Sequence, residues 1–470
     1  MNSVPDQPDR AARPAPADLL IVGPDIVTMD SSRPVLRDGA IAVSHGLISW
    51  IGPAAGARDR FAAGRTIDAS GRIALPGLVD AHLHAAQQLL RGKIIELGRR
   101  RQLRLPIWRN YLIPFESVLT EEDVYLSAQV AYANALRAGT TCFAEAGGPH
   151  PEQMARAAIE TGIRGLVALS TIDYGDGLPA SMKFSTRDAI DRSRALIKEF
   201  GVSATDRRVG ASLALRQLLV CSQELWESFR DMASDLGARV HIHLAEGTYE
   251  VDYAAEQWGE RPTERLETLG FLSSRVHAAH SILLSTRELD LLAERDVSVA
   301  HCPLGNFIIG PPKVPDMLAR GIRVGLGTDG AASGSLDLFE AIRISWVALQ
   351  SHFGTPWHVR AVVPLEDLLK MATHGGAGAL GYGDQLGSLA EGKRADILIV
   401  DAGAWDIQPI YDPIFTAARG ITGRDVHSVV VDGQVVVEDG QLTTIDEDRL
   451  RSRLAERWPV IMDRFETVTG

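Results

Sequence analysis

Apolar residues come in short runs near both ends of the chain and in a slower alternation between them. Leu19-Leu20-Ile21-Val22, Ile26-Val27-Thr28-Met29, Ala40-Ile41-Ala42-Val43 and Leu47-Ile48-Ser49-Trp50-Ile51 are separated by Gly, Asp, Ser or Pro, the texture of strands joined by tight turns. The texture returns in Asp396-Ile397-Leu398-Ile399-Val400 and in 426–431, where Asp432-Gly433 leads into Gln434-Val435-Val436-Val437 as a predicted hairpin. These flanks predict a small β-sandwich assembled from both chain ends, with 19–75 as its first part and 386–442 as its second.

The centre alternates strand-like runs with longer helical stretches. Leu78-Val79-Asp80-Ala81, Thr140-Thr141-Cys142-Phe143-Ala144, Gly165-Leu166-Val167-Ala168-Leu169, 209–215, 240–244, 276–279, 297–301 and 324–328 read as strands, with helices such as 121–138 and 151–161 between them. This rhythm predicts an α/β fold, a (β/α)₈ barrel over 76–385. Chemistry in such barrels gathers at the C-terminal ends of the strands, so polar residues there are site candidates. Past 443, Leu450, Leu454, Trp458, Ile461 and Phe465 recur at helical spacing around Pro459, so 443–470 is expected to form a packed amphipathic helix. Residues 1–18 read as a flexible tail, without the basic start and apolar run of a secretory signal.

Composition narrows the choice of function. The 470 residues carry 48 Lys plus Arg against 60 Asp plus Glu, a net charge of −12. That balance lacks the basic stripe a phosphate-tracking protein needs, so no nucleic-acid partner is expected. No uncharged apolar run reaches the roughly 18 residues of a membrane span, so no membrane partner is expected either. Cys142, Cys221 and Cys302 sit far apart and form neither a disulfide framework nor a CxxC knuckle, which places the chain in a reducing cytoplasm.

The strand ends carry the chemistry. In Leu78-Val79-Asp80-Ala81-His82-Leu83-His84 the two histidines share one face, suited to a divalent metal that takes nitrogen ligands, or to a hydrogen-bonded pair. His243 ends the fifth strand, with Glu246 in the loop after it; His241 lies deeper and reads as a core histidine. His280 ends the sixth strand and His301 the seventh, followed by Asn306. Asp329 ends the eighth between glycines, a costly place for a carboxylate without a metal or hydrogen-bond partners. Three imidazoles and one carboxylate with room for water form an open, catalytic type of metal site.

Pro76-Gly77-Leu78-Val79-Asp80-Ala81-His82-Leu83-His84, His243-Leu244-Ala245-Glu246, His280, His301-Cys302-Pro303 and Gly327-Thr328-Asp329-Gly330 occur in an order that resembles the amidohydrolase superfamily, and within it the branch of aromatic deaminases and triazine hydrolases. The resemblance runs from about Leu19 to Leu442. It implies that His82, His84, His243 and Asp329 hold one divalent metal, zinc first and ferrous iron second. Binuclear branches use a carboxylated lysine at the end of strand four, and 210–220 here contains no lysine, which favours one metal.

The resemblance also implies a mechanism: metal-bound hydroxide attacks a ring carbon, with Asp329 accepting the water's proton, His280 holding the hydroxide in line and Glu246 protonating the ring nitrogen. The expected function is hydrolytic deamination of an amino-substituted N-heterocycle, a small-molecule substrate, in a homo-oligomer. Gln87, Trp108, Arg216, His301 and Asn306 are the expected substrate contacts. Arg216 stands about where deaminases of this branch carry a histidine, and its guanidinium suits a carboxylate or a ring carbonyl. Glu145 is expected to play a structural part behind the site. The alternatives are displacement of chloride or an alkylamine from a triazine, opening of a cyclic amide, and a catalytically dead scaffold, which would be expected to have lost its ligands.

Overall fold

The computed structural model describes residues 14–332 and 334–469. It places two five-stranded parallel sheets at the centre. One contains Leu78–His84, Thr140–Glu145, Arg164–Val167, Val209–Ala211 and Asp329–Gly330; the other contains Leu213–Leu215, Val240–Leu244, Val276–His280, Ser298–His301 and Val324–Leu326. The sheets are linked twice by continuous chain. Ser212 alone separates Val209–Ala211 from Leu213–Leu215, and Val324–Leu326 runs into Asp329–Gly330 through two residues. That last stretch pairs with Ser298–His301 at its start and with Leu83 and His84 at its end.

Helices follow the strands as expected, Glu121–Arg137 and Pro151–Thr161 among them. Their starts are chemically marked: Thr120 and Asp123 form a reciprocal capping box, and the hydroxyls of Ser185, Ser222 and Ser285 accept from backbone N–H groups of the first turn. Such caps satisfy the amide groups a helix start leaves without partners.

Both chain ends contribute to a seven-stranded sheet, in which Ile397–Asp401 pairs antiparallel with Arg72–Pro76. A four-stranded sheet of Ala15–Val22, Gly39–Ser44, Leu47–Pro53 and Phe61–Asp68 accompanies it. Ile21 and Ile41 of the smaller sheet share one apolar cluster with Ile26, Ile399 and Val430 of the larger. The predicted hairpin forms, and both Asp432 (φ 53°) and Gly433 (φ 76°) adopt the left-handed backbone that its tight turn requires.

Two expectations shift. Most of the expected tail, 1–13, lies outside the described residues, and strand Ala15–Val22 starts before residue 18 because Ala15 to Ala17 pair in parallel with Phe61 to Ala63. Backbone pairing there extends the strand past its apolar run. The last helix, Glu447–Thr469, buries Ile461, Met462 and Phe465, but Trp458 remains half exposed. Polar contacts share the docking: Arg457 and Arg464 both donate to the fully buried carboxylate of Asp123.

A buried ion pair ties the flanking sheet to the barrel-type core. Arg164 donates from Nε to Asp396 Oδ2 at 2.9 Å and from Nη2 to Asp396 Oδ1 at 3.1 Å, with both side chains shielded from water. Asp432 Oδ1 also lies 3.2 Å from Arg164 Nη2 but is partly exposed, so removing Asp396 leaves the buried guanidinium with only that weaker partner. Asp396→Ala is therefore expected to destabilise the fold by about 3–5 kcal/mol, measured from denaturant midpoints. A loss below about 1 kcal/mol, the range of a surface pair, would contradict this.

Candidate metal centre and active site

Alternation along Leu78–His84 puts His82 and His84 on one face at the strand's C-terminal end, both buried. His243 and His280 reach the same point from neighbouring strands, whose register sets Leu244 beside His280. Asp329 arrives from the other side, paired in register with Leu83. The His82 ring centroid lies 4.9 Å from that of His84 and 5.0 Å from those of His243 and His280. Asp329 Oδ1 stands 3.4 Å from His82 Nε2 and 3.6 Å from His84 Nε2. His84 Nε2 and His243 Nε2 are 3.2 Å apart. The ligand atoms of His82, His84 and His243, and those of His82, His280 and Asp329, each gather within 4.8 Å.

These donors fit a divalent cation. The atoms that converge are Nε2 of His82, His84 and His243 with Asp329 Oδ1; His82 Nε2 is buried and makes no hydrogen bond, an expensive condition for a polar atom that coordination can relieve. Burial lowers the pKa of His82 to about 4 and those of His84 and His243 well below the ordinary value. The imidazoles are thus neutral at pH 7, the form that offers a lone pair. For His82 to present Nε2, its proton must sit on Nδ1, where His241 Nε2 lies 2.8 Å away to accept it. The expected core histidine therefore orients His82. Burial acts to raise the Asp329 carboxyl, but the His82 ring beside it and the nearby His280 outweigh it and hold it well below the usual carboxylate range.

Backbone geometry at the strand ends is specialised. His280 (φ 67°) and Asp329 (φ 63°) both adopt left-handed backbone, a strain that concentrates at functional positions. A side chain at Gly327 would meet His82 Cβ at 2.8 Å and Cys302 Sγ at 3.0 Å, so glycine there lets the last strand approach the first. Behind it, Asp80 Oδ1 accepts from the backbone N–H groups of His82 (3.2 Å) and Thr328 (3.1 Å), locking the two strands together. Burial pushes the Asp80 carboxyl up to about 7 against those bonds.

Glu246 follows His243 in a loop, as expected, and its Oε2 accepts from Gln217 Nε2 (2.5 Å) and from the Tyr249 hydroxyl (2.9 Å). The Trp108 indole N–H donates to that same hydroxyl at 3.0 Å. His280 Nδ1 donates to Asn306 Oδ1 at 3.0 Å, and Asn306 Nδ2 lies 3.4 Å from His301 Nδ1. Asn306 is fully buried, so its amide braces His280.

Arg216 and Gln87 converge on a residue the sequence reading passed over. Arg216 Nη1 lies 3.3 Å from Glu116 Oε2, and Gln87 Nε2 donates to Glu116 Oε1 at 2.7 Å, all three buried. The Arg216 charge is thereby matched within the protein. Glu145 accepts the Ala85 backbone N–H at 3.0 Å, and burial pushes its carboxyl up to about 8. Glu116, Gln217 and Tyr249 carried no strand-end signal. Gln217 beside Arg216, and Tyr249 three positions after Glu246, were the available hints.

A model of the amidohydrolase family matches residues 73–436. The chain is 33% identical over 436 residues to a 5-methylthioadenosine/S-adenosylhomocysteine deaminase of Moorella thermoacetica, covering 92% of this chain and 97% of that protein. Its fold is similar to that of an adenosine deaminase from Xanthomonas campestris solved with bound zinc, with a TM-score of 0.87, 31% identity, and coverage of 97% of this chain and 100% of that one. It is also similar to an atrazine chlorohydrolase from Arthrobacter aurescens complexed with zinc, at a TM-score of 0.82 and 26% identity, covering 94% of this chain and 100% of that one.

Proposed function

The chain belongs to the amidohydrolase family, and we propose that it is a mononuclear metal-dependent aminohydrolase that replaces the amino group of a neutral N-heterocycle with oxygen, releasing ammonia. The observation that carries this reading is the meeting of His82, His84, His243, His280 and Asp329 at one end of the parallel strands, where Nε2 of His82 and of His84 face Asp329 Oδ1, His243 Nε2 faces that of His84, and the buried His82 Nε2 has no hydrogen-bond partner. We take zinc as the ion, held by His82, His84, His243 and Asp329, in line with the zinc-bound neighbours. We also read the two five-stranded sheets as one (β/α)₈ barrel, and the flanking sheets as one β-sandwich.

When bound, the ion supplies Lewis-acid activation of water near neutral pH. The chain's own groups do the rest. Asp329, a carboxylate kept ionised by its neighbours, takes the proton of the attacking water and later hands it to the departing amine. His280, braced through Nδ1 by Asn306, directs its other nitrogen at the water. Glu246 gives a proton to the ring nitrogen beside the attacked carbon.

The paired Arg216 and Glu116 leave that wall of the site without net charge, which favours an uncharged ring over a carboxylate-bearing one. The deaminase relatives make an adenine-type ring the first to test. The test is metal content by plasma mass spectrometry with an ammonia-release screen over aminopurines, pterins, pyrimidines and triazines. About one ion per chain, as an open catalytic site requires, with ammonia from one ring class is the expected result. Two ions per chain would overturn the mononuclear reading; chloride release or ring opening without ammonia would overturn deamination.

A further inference from the structure

Two side chains converge on a single oxygen of Glu246, and a third orients one of them. Gln217 comes from the loop after strand Leu213–Leu215, Tyr249 from the first turn of helix Thr248–Trp258, and Trp108 from the turn Trp108–Leu112. The direction of this chain of hydrogen bonds is fixed by chemistry. An indole N–H can only donate, so the Tyr249 oxygen accepts from Trp108 at 3.0 Å, and its one proton goes to Glu246 Oε2 at 2.9 Å. The Gln217 amide N–H donates to the same oxygen. Glu250 Oε2 accepts the Glu246 backbone N–H at 3.1 Å and fixes the main chain beneath.

An oxygen that already accepts two hydrogen bonds is a poor place for a proton. We propose that Tyr249, oriented by Trp108, and Gln217 are positioning residues that reserve Oε2 of Glu246 as an acceptor and so leave Oε1 as the oxygen that carries and delivers the proton. This rests on the proposed role of Glu246 in deamination. In the step, the Oε1–H bond breaks as the ring nitrogen takes the proton. Its electron pair stays on the carboxylate, whose new charge meets the two donors already aimed at Oε2. Charge-assisted hydrogen bonds of that kind strengthen as the charge appears. Trp108, expected to touch substrate, thereby acts through Tyr249.

The test compares Tyr249→Phe, Trp108→Phe, Glu246→Gln and the Tyr249→Phe/Glu246→Gln double variant in the zinc-loaded enzyme, using the ring substrate that releases ammonia. Loss of one hydrogen bond to a charged group should lower kcat of Tyr249→Phe about 10- to 100-fold, with KM within about twofold. Trp108→Phe should show the same split with a smaller loss. Adding Tyr249→Phe to Glu246→Gln should change kcat by less than about twofold, because the two act as one unit. An unchanged kcat in Tyr249→Phe, or an equal loss in the Glu246→Gln background, would overturn the positioning role alone. Wild-type turnover by Glu246→Gln would overturn the role of Glu246 as well. Trp108→Phe keeps the question open to test if Tyr249→Phe proves unstable.

Discussion

Asp329→Asn is expected to lower turnover by on the order of 10⁴-fold, since it removes both the proposed proton acceptor and the only carboxylate of the proposed ligand group, and to leave the purified protein short of metal. Asn is the informative substitution. Asp329 sits at φ 63°, a left-handed conformation that Asn tolerates and most other side chains do not. The strand end should therefore keep its path, and the Gly330 N–H that now donates to Asp329 Oδ1 at 2.8 Å can still find an oxygen. What changes is charge. His82, His84 and His243 are neutral at pH 7 because burial opposes their protonation, so without Asp329 no ligand offsets a divalent ion. Metal content and kcat, measured on the same preparation, should fall together. Full metal content with wild-type turnover would remove Asp329 from the centre.

The strand ends were legible in the sequence for a simple reason. Alternation in a strand fixes which residues share a face, so His82 and His84 could be placed together without coordinates, and the barrel rule placed His243, His280 and Asp329 at the same end. The structure brings those five together. Arg216 is the instructive contrast. Its position was readable, but its partner Glu116 lies 100 residues earlier, in the short helix Ile113–Ser117. No local pattern announces such a pairing. Loops obey tertiary packing more than periodicity, and the hydrogen bond from the Trp108 indole N–H to Tyr249, 141 residues away, is another pairing that no local pattern announces. The early start of the first strand has the same origin, because Ala15 to Ala17 pair with Phe61 to Ala63, more than forty residues away in the chain.

Glu246→Gln is expected to lower kcat for ammonia release by about 10²- to 10⁴-fold, the usual contribution of a positioned proton donor, while the metal content stays at the wild-type level. A glutamine can fill the same space, and its amide oxygen can accept from Gln217 and Tyr249 as Oε2 does now. It has no proton to give to a ring nitrogen at neutral pH. The substitution thus separates proton delivery from folding and from metal binding, which Asp329→Asn cannot do. It also tests the division of labour. Glu246 serves the ring nitrogen and Asp329 the departing amine, so hydrolysis of a chlorinated ring should suffer from the substitution about as much as deamination of the matching amino ring. A smaller loss on the chlorinated ring would give Glu246 a part in protonating the leaving group; if neither ring loses activity, it is not the proton donor, and the acid must be sought among the other carboxylates near the strand ends.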